Sequence, residues 1–101
     1  MEERRRSPRR VVEGELATVP AVFNVRVLDI SLAGVLLQSS HPVEPGARGL
    51  LRLNLDESPF KAEVQVQRVV ADDATVGYRL GATFVALSPD HRQLIERFMA
   101  N

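Results

Sequence analysis

Apolar and polar residues alternate with a period of two along most of the chain, the signature of strands with one buried face. Residues 11–19, Val-Val-Glu-Gly-Glu-Leu-Ala-Thr-Val, read as a first strand with a weak centre at Gly14, broken by Pro20. In residues 21–30, Phe23, Val25 and Val27 alternate with Asn24 and Arg26. Asp29 continues the apolar phase, so it either points toward the core or marks the end of alternation. A short strand follows from Val35 to Ser39. Pro45-Gly46 fits the centre of a type II turn, with Pro presetting φ and Gly supplying φ > 0. Residues 49–55 place Leu51, Leu53 and Leu55 on one face and Arg52 and Asn54 on the other.

The longest strand is predicted over residues 60–70, after an Asp56-Glu57-Ser58-Pro59 turn. Phe60, Ala62, Val64 and Val66 face one way, and Lys61, Glu63, Gln65 and Gln67 the other. Strict alternation then puts Arg68 inside and Val69 outside. A β-bulge near Gln67 repairs the phase and bends the strand. Asp72-Asp73-Ala74 is the next turn, and Tyr78 to Phe84 a last strand containing Gly81.

The period then changes. Ser88-Pro89 supplies an N-cap and a proline at the first helical position. Asp90 in the first turn and Arg97 in the last suit the helix dipole. Leu94, Ile95, Phe98 and Met99 share one face, which is expected to pack on the β-structure. Six strands with short, regular turns and one helix predict a small antiparallel β-barrel or sandwich, with a C-terminal α-helix over residues 88–99 packed on it. The expected division is an Arg-rich flexible arm at 1–10 and one folded unit at 11–101.

Composition adds a location for the chemistry. The 101 residues are 45% apolar and 26% charged, which suits one small soluble domain. The net charge is zero, which argues against a general polycation. Residues 1–10, however, hold five Arg against two Glu. Twelve of the thirteen basic residues are Arg. Arg is favoured where planar, bidentate contact to phosphate or a base edge is needed; a GC-rich coding bias gives the same enrichment.

Several classes of chemistry lack support. With no Cys, disulfides, thiol catalysis and Cys-ligated zinc are excluded. His41 and His91 stand apart with no companion ligand pattern, so no metal site is expected. Ser31 does not lie in a nucleophile elbow, and neither glycine-rich phosphate-binding pattern is present. No catalytic residue is assigned, and a non-enzyme is expected. No apolar run approaches the roughly 18 residues of a membrane span, and no apolar segment follows the basic start as in a signal peptide. A cytoplasmic protein without membrane association is the expectation.

Two stretches remain. The first is Arg5-Arg6-Ser7-Pro8-Arg9, an Arg-x-x-x-Arg arm preceded by Arg4. The second, about twenty residues on, is Asp29-Ile30-Ser31-Leu32-Ala33-Gly34, an Asp-x-Ser-x-x-Gly turn between apolar runs. With the late Gly81-Ala82-Thr83-Phe84 and the Leu87-Ser88-Pro89 entry to the helix, the chain resembles the PilZ domain family over nearly its whole length. Each motif alone is weak; together, in order, they are fairly specific. The resemblance implies a six-stranded antiparallel β-barrel, and binding of the bacterial second messenger cyclic di-GMP by a non-catalytic cytoplasmic receptor or adaptor. It points to Arg4, Arg5, Arg9, Asp29, Ser31 and Gly34 as ligand-binding residues. Arg6-x-x-x-Arg10 has the same spacing; Arg5 and Arg9 are preferred because Arg10-Val11-Val12 already leads into the first strand.

These residue types suit that ligand. A guanine presents O6 and N7 to an Arg fork, and its N1–H and amino group to a carboxylate such as Asp29. Ser31 bonds a base, a phosphate or the local backbone. Gly34 provides either φ > 0 or close backbone approach. Ordering of the arm on the ligand would then signal to a protein effector. The alternatives are a PilZ-fold module that binds protein without nucleotide, and an arginine-arm nucleic-acid binder. With one Tyr and no Trp the second lacks a stacking platform, and no DNA or RNA partner is expected.

Overall fold

The computed structural model describes residues 11–18, 21–72 and 77–100. Six strands, β1 (Val12–Ala17), β2 (Val22–Ile30), β3 (Gly34–Ser39), β4 (Arg48–Leu55), β5 (Ser58–Ala71) and β6 (Tyr78–Phe84), precede one helix, α1 (Pro89–Ala100). The strands close into a barrel in the order β1-β2-β3-β6-β5-β4, and β4 pairs back onto β1. Every pairing is antiparallel. Of the barrel and the sandwich allowed by the strand pattern, the barrel forms, and closure leaves no sheet edge to protect.

The alternating residues fill the interior. Leu16, Leu37, Leu51 and Leu80 are fully buried, with Val25, Val27, Val64 and Val66 around them. Each such side chain contributes about 1.5–3 kcal/mol relative to exposure. Ser88 caps α1: its Oγ accepts the His91 N–H at 3.2 Å, and its carbonyl accepts the Arg92 N–H at 3.0 Å. Ile95 and Phe98 join the barrel core, and the helix packs against β4 and β5. The Phe60 ring meets His91 at 5.0 Å and Phe84 edge-on at 5.9 Å. Met99, expected on the packed face, is exposed because it lies at that face's margin.

Turn chemistry sets the register. Gly46 has φ of 91°, and the Ala47 N–H donates to the Glu44 carbonyl at 3.0 Å, as the type II turn requires. The β4–β5 hairpin is tighter than its sequence suggests. Leu55 pairs with Ser58, so the loop is Asp56-Glu57 alone, with φ of 51° and 71°. Positive φ at both positions is the type I′ pattern that matches strand twist. Ser58 and Pro59 therefore belong to β5.

Two bulges interrupt the ladders. In β5, Val66 pairs with Ala82 and Arg68 with Gly81, leaving Gln67 as the extra residue. This is the bulge that the pattern demanded, and it turns Arg68 outward. In β2, Val27 pairs with Leu37 and Asp29 with Leu36, leaving Leu28 extra. This second bulge resolves the phase of Asp29: the carboxylate faces solvent, and Ile30 takes the buried position.

Candidate functional site

The second bulge places Asp29 at the rim of a turn whose shape is fixed by Ser31. The Ser31 Oγ accepts the Ala33 N–H at 3.2 Å and the Gly34 N–H at 3.4 Å. The Ser31 N–H in turn donates to the Gly34 carbonyl at 2.9 Å. A hydroxyl that bonds backbone two and three residues on is the local reason for Ser here. Gly34 has no positive φ. Its requirement is close approach: a Cβ would overlap the Ala82 carbonyl oxygen and lie 3.1 Å from the Thr83 Cα. Glycine lets β3 press against β6, and the Phe84 N–H donates to the Ala33 carbonyl at 3.3 Å.

Asp29, Ser31 and Gly34 line one cleft of about 350 Å³ on the outer wall of the barrel. Ile30, Val35, Leu36, Gly81 and Ala82 contribute to its lining, and Gln67, Arg68 and Thr83 come in from β5 and β6. The Gln67 Nε2 donates to the Thr83 Oγ1 at 3.1 Å, which steadies that side. Asp29 and Arg68 are the charged residues of this lining. Half of the six residues expected at the site are thus brought together. Arg4, Arg5 and Arg9 lie outside the described residues.

Sequence reasoning missed Gln67, Arg68 and Thr83 as cleft residues. They reach Asp29 only through the β3–β6–β5 pairing, in which Gly34 faces Thr83 and Gln65 faces Thr83 from the other side. The available signal is the phase break at Arg68, which marks the bulge and with it an arginine turned to the outer face.

A second cleft of about 300 Å³ is lined by Glu13, Asn24, Arg26, Gln38 and Ser39, among others. Its charges satisfy each other, with Arg26 Nε 3.0 Å from Glu13 Oε2. Among the described residues there is no cluster of His, Asp or Glu suited to a metal, and no helix long and apolar enough to cross a membrane.

The first cleft can take a flat, polar-edged group. Its volume is near the lower end of the roughly 300–1,000 Å³ typical of small-molecule pockets. A carboxylate and a guanidinium on its lining offer an acceptor and a donor fork to one ligand.

A closed six-stranded barrel with a C-terminal helix and an outer-wall cleft at an Asp-x-Ser-x-x-Gly turn defines a small β-barrel module. The model of the PilZ domain matches residues 3–101, and the chain belongs to that family. Among solved structures, the chain is similar to the PilZ domain with c-di-GMP of YcgR from Escherichia coli. That match has a TM-score of 0.69 at 19% identity, covering 89% of this chain and 79% of that one. No curated protein sequence matches the chain significantly.

Proposed function

We propose that the protein is a non-catalytic receptor for cyclic di-GMP, which it holds between the 29–34 turn and the arginine arm. The observation that carries this reading is the register of β1. Val12, the first residue of β1, pairs with Val27, two residues before Asp29. β1 therefore starts at the end of β2 where Asp29 lies, and in the sequence Arg9 is three residues before Val12. The PilZ relative from Escherichia coli, whose structure contains c-di-GMP, has the same fold.

The chemistry is complementary. The Asp29 carboxylate accepts from the guanine N1–H and amino group. Arg5 and Arg9 supply charge-assisted bonds to phosphate or base. In an extended chain they span roughly 13 Å, enough to reach separate parts of one dinucleotide. The cleft accommodates part of the ligand, and the arm closes over the rest.

Ordering about seven arm residues costs on the order of 10 kcal/mol of backbone entropy, which ligand contacts must offset. Clamping the arm onto the barrel remodels the surface offered to a protein effector. In this reading the named residues act by recognition, and the protein signals in the cytoplasm without catalysis.

Competition at physiological salt tests the reading. Labelled cyclic di-GMP should be displaced by unlabelled cyclic di-GMP and not by GMP or duplex DNA. Equal displacement by DNA, with a steep salt slope, would identify a general polyanion binder instead. Amide exchange tests the clamp: protection at residues 4–10 should rise on binding, and equal protection with and without ligand contradicts it.

A further inference from the structure

We infer that Arg68 is a further ligand-binding residue, reading the O6/N7 edge of the guanine whose N1–H edge is held by Asp29. The inference rests on the cyclic di-GMP reading and adds a residue outside both sequence motifs. Three observations lead to it.

The first is the bulge. Without Gln67 as an extra residue, Arg68 would pair with Leu80 and point into the core, where Leu80 is fully buried. A guanidinium there without a partner costs several kcal/mol. The bulge instead sets Arg68 opposite Gly81 on the outer face. Barrel curvature explains a bulge, but it does not explain an arginine at this point.

The second is the space left around it. Gly81 presents no side chain, and a Cβ there would meet only the Arg68 Cβ, at 3.9 Å. The strand residue facing Arg68 therefore leaves the cleft open on that side.

The third is electrostatic. Arg26, Arg48 and Arg79 pair with Glu13, Glu63 and Asp72. Among the described residues Arg68, like Arg52, Arg92 and Arg97, has no ion pair or side-chain hydrogen bond, and of these four it is the one that lines the cleft with Asp29. A ligand that satisfies both must offer donors to one and acceptors to the other. Guanine does so on adjacent edges, whereas adenine puts its N6 amino donor where Arg68 needs an acceptor.

The test is calorimetric titration of cyclic di-GMP into the folded wild type, Arg68→Ala, Arg68→Lys and Asp29→Ala. Arg68 is exposed, so its variants should melt with the wild type. Loss of one bidentate base contact predicts binding weaker by about tenfold to a hundredfold in Arg68→Ala. Lys keeps the charge without the fork, so Arg68→Lys should remain weaker by at least about fivefold. Two results overturn the inference alone: Arg68→Ala binding within about twofold of wild type while Asp29→Ala loses affinity, or full recovery in Arg68→Lys. No binding by the folded wild type overturns the ligand reading, and this inference with it.

Discussion

Replacing Gly34 with alanine tests the packing that shapes the turn. The added Cβ overlaps the Ala82 carbonyl oxygen, and it lies 3.1 Å from the Thr83 Cα and 3.2 Å from the Ala82 carbonyl carbon. All three atoms are backbone, so no rotamer change relieves the contact. Either β3 and β6 separate at the Gly34–Thr83 pair or the Ser31 turn shifts. Overpacking costs about 1–3 kcal/mol, and a backbone collision belongs at the upper end. Alanine's lower unfolded-state entropy returns about 0.4–1 kcal/mol. The net loss is about 2 kcal/mol, or a fall in Tm of about 8–16 °C for a domain of this size. Gly81→Ala is the matched control, because its Cβ meets only the Arg68 Cβ at an ordinary 3.9 Å. It should melt with the wild type or a few degrees above it. Thermal melts followed by circular dichroism compare the two. A Gly34→Ala protein melting within about 2 °C of wild type, or Gly81→Ala falling equally far, refutes the close-approach argument.

Three further substitutions probe the scaffold. Glu57→Gly should raise Tm by a few degrees, because a non-glycine residue at φ of 71° carries about 1–2 kcal/mol of strain against roughly 0.5–1 kcal/mol of added chain entropy; an unchanged or lower Tm counts against the strain. Ser88→Ala removes the cap of α1 and should cost about 1 kcal/mol, read from the urea midpoint at constant slope. Asp72→Ala should cost about 2 kcal/mol, because the Asp72 side chain is only 6% exposed and accepts from the Arg79 Nε at 3.0 Å and the Gln38 Nε2 at 3.4 Å. A loss below about 0.5 kcal/mol in urea unfolding would show that these bonds merely replace bonds to water.

Much of the barrel was legible because its strands obey a period of two. Phe60, Ala62, Val64 and Val66 are all buried as their alternation requires. Arg68 announced its bulge because a buried guanidinium is too costly to accept. Asp29 was ambiguous for the same kind of reason: its phase was wrong for an acid, yet the strand end offered an equally good escape. The extra residue proved to be Leu28, and the signal lay in Val27 and Ile30, two buried apolar residues at odd spacing within one strand. The Asp56-Glu57 hairpin was hidden by its lack of Asn or Gly at positions of positive φ. The second wall of the cleft was hidden more deeply. Gln67 and Thr83 meet the 29–34 turn through strand register, and alternation within each strand does not carry that information. The turn residues Asp29, Ser31 and Gly34 were legible because their roles are local or set by short range, whereas the arginine arm lies outside the described residues.

The central claim is that one dinucleotide is shared between the Asp29 turn and the arginine arm. Its most direct measurement is a calorimetric titration of cyclic di-GMP at physiological salt into wild type and Arg9→Ala. Saturable binding that GMP does not reproduce, lost in Arg9→Ala while Arg10→Ala retains it, is the predicted result and fixes the arm's register at Arg5 and Arg9. Absence of heat from a folded wild type, or undiminished binding by Arg9→Ala, contradicts the claim.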